Sequence, residues 1–141
     1  MSHPMALPDH RPPLKRHRHL LAALALTCAI CLLRLPLRAT IATIDTLHRL
    51  PLATPGAEAP ALTRLVHACT RASALWPGRV ACLETSLALV LAAAFTGRRL
   101  HWCLGGRFDP PATHAWAQHP DGTPVGEPTD TPWPWTTALR I

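Results

Sequence analysis

The sequence predicts an α+β domain, and three observations carry that prediction. Apolar residues recur at helical spacing in successive segments up to Gly97, the period then changes to alternation, and helical runs followed by strands are the signature of segregated α and β layers. The 141 residues are enough for one domain with its own core, and 48% hydrophobic against 16% charged residues excludes a largely disordered chain. No internal repeat is visible.

Residues 1–19 hold Pro4, Pro8, Pro12 and Pro13 with no apolar period, so a mobile basic tail is expected there. Leu20 to Leu33 (LLAALALTCAICLL) predicts a helix closed before Pro36. It comes after a basic segment, as the apolar core of a secretion signal would. The run is nonetheless shorter than the ~20 apolar residues that cross a bilayer, and Arg34 and Arg38 interrupt the chain just beyond it. A buried or membrane-surface helix is the expectation. Ile41, Ile44, Leu47 and Leu50 predict a second helix ending by Pro51, which completes an N-terminal helical segment over residues 20–53.

Thr54 to Pro60 (TPGAEAP) reads as a connector, and residues 61–141 as the main domain. Leu62, Leu65, Val66, Cys69, Ala72 and Trp76 mark one face of a third helix, stopped at Pro77-Gly78. Leu83, Leu87, Val90, Leu91 and Ala94 stripe a fourth, from about Cys82 to Phe95, with Gly97 placed as its C-terminal cap. Leu100 to Leu104 then reads as a strand before Gly105-Gly106, a turn or an anion-binding nest. The stretch from His114 to Glu127 (HAWAQHPDGTPVGE) reads as a hairpin.

The net charge of +6 comes almost wholly from arginine, with Lys15 the single lysine. Such a balance favours acidic partners without choosing among them. The densest basic run lies in the Pro-rich tail and lacks interleaved aromatics, so nucleic acid is not expected as a partner. Five cysteines cannot all pair, which fits a reduced, cytoplasmic setting. Cys28 and Cys31 share a helix face with no second ligand pair after them, so they read as core packing; neither a metal nor a cofactor is expected.

Cys82 stands where the fourth helix begins. Backbone N–H groups are unpaired there and the macrodipole is positive, so a thiolate is stabilised. An ordinary core cysteine would also fit. If His119 to Gly122 form a four-residue loop, Gln118 faces Thr123 and His114 faces Glu127, near enough for the carboxylate to accept the Nδ1 proton of the ring. Asp130 is the alternative if the register slips. A Cys–His pair with the ring fixed by a third group turns a thiol into an attacking nucleophile and returns a proton to a leaving amine. The plainer reading is that His114 is a half-buried strand residue.

The segments WPGRVACLETSLALVL, GRRLHWCLGG and THAWAQHPDGTPVGE resemble the transglutaminase-like leader peptidases of bacterial lasso peptide biosynthesis. The likeness covers roughly residues 70 to 130 and rests on Cys82-Leu83, Ser86-Leu87-Ala88-Leu89 and His114-Ala115-Trp116 together with their spacing. It implies a transglutaminase or papain-like core, with Cys82 as nucleophile, His114 as general base, and Glu127 where an aspartate is common. It also implies cleavage of a precursor peptide at its leader, a separate leader-recognition protein, and an ATP-dependent cyclase acting on the product. Two other readings stand beside it: a transglutaminase-like acyltransferase, and a non-catalytic basic adaptor on a membrane surface or nucleic acid. Trp76 is a guess for a second oxyanion donor, and Trp133-Pro134-Trp135 for a groove wall.

Overall fold

The computed structural model describes residues 16–54, 60–128 and 132–141. Four helices come first, α1 (Arg16–Leu33), α2 (Leu37–His48), α3 (Pro60–Leu75) and α4 (Cys82–Phe95). Four strands come after them, β1 (His101–Phe108), β2 (Pro111–Gln118), β3 (Pro124–Val125) and β4 (Thr136–Arg140). They form one antiparallel sheet in the order β3-β2-β1-β4. The expected α+β class is the one observed.

Helix α4 is the hub. It packs against α1, α3, β2 and β1, and every residue from Ser86 to Ala93 is buried. The expected stripe is therefore too narrow, because neighbours cover all sides of the helix. Alanines make this possible: Ala88, Ala92 and Ala93 on α4 and Ala22, Ala25 and Ala29 on α1 are fully buried and let helix backbones approach closely. The helix stops at Thr96, and Gly97 adopts φ 79°, the left-handed geometry of a C-terminal cap.

Several boundaries differ from expectation. Helix α1 starts at Arg16, so Arg16 to His19 form its first turns instead of a tail; arginine is a good helix former and Pro13 is the last proline before it. The rest of the expected tail and residues 55–59 of the connector lie outside the described residues, while Pro60 opens α3, where its missing N–H is harmless. Cys28 packs on the core, but Cys31 is exposed, a correction to the core reading of the pair.

Gly105-Gly106 is neither turn nor nest. β1 runs through both to Phe108, and the hairpin to β2 turns at Asp109-Pro110. The glycine at 105 is demanded by a neighbour: a Cβ there would overlap the Thr136 carbonyl of β4 and come within 2.9 Å of the Trp116 ring. Strand β4, which no sequence pattern indicated, pairs with β1 across a bulge between Leu104 and Gly105.

The hairpin from His114 to Glu127 is offset by one residue from the expected register, pairing Gln118 with Pro124 and Ala117 with Val125. Thr123 belongs to the loop, where its N–H bonds Asp121 Oδ1 at 2.8 Å and its carbonyl accepts from His119 N at 2.8 Å. The aspartate side chain thus takes up a donor that the ladder would otherwise use.

Candidate active site

Cys82 is the first residue of α4 and is exposed. The break at Pro77-Gly78 frees the chain to enter the helix here, and Glu84 fixes the entry by accepting a 2.9 Å hydrogen bond from Ala81 N. Ala81 has no side-chain acceptor, so this is half of a capping box. The first-turn N–H groups beside the sulfur have no helical partners and present a positive end to anything bound there.

A cavity of about 100 Å³ opens beside the thiol. Val66 and Cys69 of α3, Leu89 of α4, Ala115 and Ala117 of β2, and Val125 give it an apolar floor, while Thr85, Ser86 and Glu127 supply polar atoms. Burial pushes the Cys69 thiol up to about 12, which leaves it neutral and inert on the floor. Ser86 has a structural duty as well: its hydroxyl accepts from the buried Trp102 Nε1 at 2.9 Å, tying β1 to α4.

His114 and Glu127 meet. His114 Nε2 donates to Glu127 Oε1 at 3.0 Å, with both side chains about one fifth exposed. The nitrogen is not the expected Nδ1, and the contact forms despite the shifted register. β3 ends at Val125, Gly126 adopts φ 74°, and that left-handed residue turns Glu127 toward β2. Asp130, the alternative, lies outside the described residues.

Alternation along β2 decides where the ring sits. Ala115 and Ala117 face α4 and the cavity, so His114, Trp116 and Gln118 project from the other face of the sheet. There the imidazole lies between two indoles, Trp116 at 5.9 Å and Trp135 at 4.8 Å between centroids. Trp133 packs edge-on against Trp116 at 5.1 Å, and Arg107 caps Trp135 at 4.9 Å. Trp135 and Trp116 thus flank His114 on the outer face, and Trp133 backs Trp116. The sulfur and the imidazole do not share a hydrogen bond; Glu127 is common to both, lining the thiol cavity while holding the ring.

Trp76 is half-buried, packs on the core and folds against Gly78, at 3.4 Å from a Cβ placed there. It does not line the cavity, so its role at the helix break is structural. What the sequence concealed was the outer-face aromatic cluster, although His114 and Trp116 at i and i+2 were a signal that they share a face. No group of three or more histidine, cysteine, aspartate or glutamate side chains converges among the described residues.

A family model described as the transglutaminase-like superfamily matches residues 22–137. Neither curated proteins nor solved structures give a match.

Proposed function

The chain belongs to the transglutaminase-like superfamily, which includes cysteine proteases and acyltransferases, and from the resemblance of its Cys82-Leu83, Ser86 to Leu89 and His114-Ala115-Trp116 motifs we propose that it is a cysteine peptidase removing the leader from a lasso precursor peptide. The observation that supports a thiol mechanism best is Cys82 at the start of the buried helix α4, opening onto a cavity whose wall includes the carboxylate bound to His114.

In this mechanism His114 takes the Cys82 thiol proton as the sulfur attacks the scissile carbonyl, forming a C–S bond while the carbonyl π electrons move to oxygen. First-turn N–H groups of α4 receive that charge. His114 passes a proton to the leaving amine as the C–N bond breaks, and Glu127 orients the ring and balances its charge. Water then attacks the thioester, giving a proton to His114, which returns it to the sulfur as the C–S bond breaks and the acid product leaves. β3 pairs with β2 at Ala117 and Gln118 alone, so no β3 backbone covers the edge of β2 at His114. The mechanism requires the ring, with Glu127, to swing around that edge from the outer face to the cavity when peptide binds, giving up its packing on Trp135.

The partners in this proposal are the precursor's leader region, a separate leader-recognition protein and an ATP-dependent cyclase that takes the freed amine. Mass spectrometry of a cognate precursor incubated with the protein and the recognition protein tests it. Two fragments together heavier than the precursor by one water are expected, and Cys82→Ala should abolish them. Intact precursor joined to an added amine with loss of ammonia would instead establish acyl transfer. Cleavage by Cys82→Ala at the parent rate would refute the thiol mechanism.

A further inference from the structure

Helix α1 presents two different faces. Ala22, Ala25, Leu26 and Ala29 are fully buried in the core, so this helix, although long and apolar enough to cross a membrane by composition, is already committed to the fold. On its opposite side Arg16, Leu20, Leu24, Thr27 and Cys31 are exposed, as is Arg34 just past its end. Their spacings are all three or four residues, so they form one ridge, about 27 Å long at 1.5 Å per residue. Leu20 is 66% exposed and Leu24 56%, and Leu35 and Leu37 at the α1–α2 corner add further uncovered apolar surface at 54% and 46%.

Charge selects the partner. Arg16 and Arg34 stand at the ends of the ridge, Arg38 and Arg49 are also exposed, and Asp45 is the sole acidic residue between Arg16 and Thr54. A second copy of the same ridge would bring arginine against arginine, which disfavours self-pairing. An apolar strip edged with arginine fits an anionic bilayer surface, where leucines enter the acyl boundary and guanidinium groups stay with the headgroup phosphates. We infer that the exposed face of α1 with the α1–α2 corner docks the protein on anionic phospholipid, with the helix lying along the surface. The candidate active site is on the sheet side of α4, so docking through α1 is separate from the thiol chemistry.

Co-sedimentation of the full chain with vesicles tests this. The parent should pellet with mixed phosphatidylcholine–phosphatidylglycerol vesicles, stay in solution with pure phosphatidylcholine, and release as salt rises. Leu20→Ser with Leu24→Ser should weaken binding about twenty-five-fold, from roughly fivefold per partly buried leucine. Arg16→Gln with Arg34→Gln should weaken it by a similar factor, at roughly fivefold per arginine. Circular dichroism matching the parent shows that these surface variants fold. Unchanged binding by the double leucine variant, pelleting with neither vesicle, or a dimer in sedimentation that the leucine variant dissolves would each overturn the inference.

Discussion

Gly105→Ala isolates the packing that builds the outer face of the sheet. The added Cβ overlaps the Thr136 carbonyl oxygen, stands 3.0 Å from the Thr136 carbonyl carbon and 2.9 Å from Trp116 Cη2. Neither side yields easily, since Thr136 is paired with Gly106 and the Trp116 ring is fully buried. Overpacking of this kind costs about 1–3 kcal/mol, and displacement of β4 adds lost ladder bonds, so a total of about 3 kcal/mol or more is expected. In a chain of this size that lowers Tm by roughly 10 °C. Gly106→Ala is the internal control, because its Cβ meets a single atom, Ala112 O, at 3.1 Å. Urea unfolding followed by tryptophan fluorescence should show a midpoint well below the parent for Gly105→Ala and a smaller change for Gly106→Ala. Equal stability of Gly105→Ala and the parent would refute the close approach of β4. Equal losses for both variants would instead restore the turn reading of the two glycines.

Burial and backbone geometry set the other expectations. Limited iodoacetamide labelling with peptide mapping should modify the exposed Cys31 and Cys82 first and the buried Cys69 and Cys103 last; early labelling of Cys69, with its thiol pushed up to about 12, would contradict the closed floor of the cavity. Burial lowers the pKa of His48 and of His101 below the ordinary 6.5, so the unfolded chain binds more protons than the folded one as pH drops past 6.5. Tm should therefore fall between about pH 7 and pH 5, and His101→Gln should flatten that fall; an unchanged slope would remove His101 from the acid response. Gly97→Ala has open space for its Cβ but φ 79°, so a loss of about 1 kcal/mol, read by urea unfolding, is expected from strain alone.

The helical half was legible because its signals are local. Leu62, Leu65 and Cys69 announce the buried face of α3, and the Pro77-Gly78 break with Gly97 brackets α4. The strands were harder, because what shapes them lies far away in the chain. Two glycines look like a turn until β4, some thirty residues on, is seen to press against the first of them. The hairpin register turned on one side-chain hydrogen bond, from Thr123 N to Asp121 Oδ1, which pattern does not reveal.

At the site, the expected imidazole–carboxylate contact of His114 and Glu127 forms, but through the turn at Gly126 beyond β3 and not through the strand register that predicted it. The spacing did not foretell the nitrogen used, nor that alternation sets His114 among Trp116 and Trp135 on the face away from α4. Cys82 stood out because helix starts are marked by chain breaks, whereas a relation between α4 and β2 depends on how the sheet faces the helix.

The central claim is that Cys82 carries the acyl group, and the direct measurement is peptide mapping of the protein quenched in acid during turnover of a precursor. The account predicts a leader fragment attached to the peptide containing Cys82, removed by hydroxylamine as a thioester is and missing from Cys82→Ala. Turnover with no adduct on that peptide, continuing in Cys82→Ala, would contradict it.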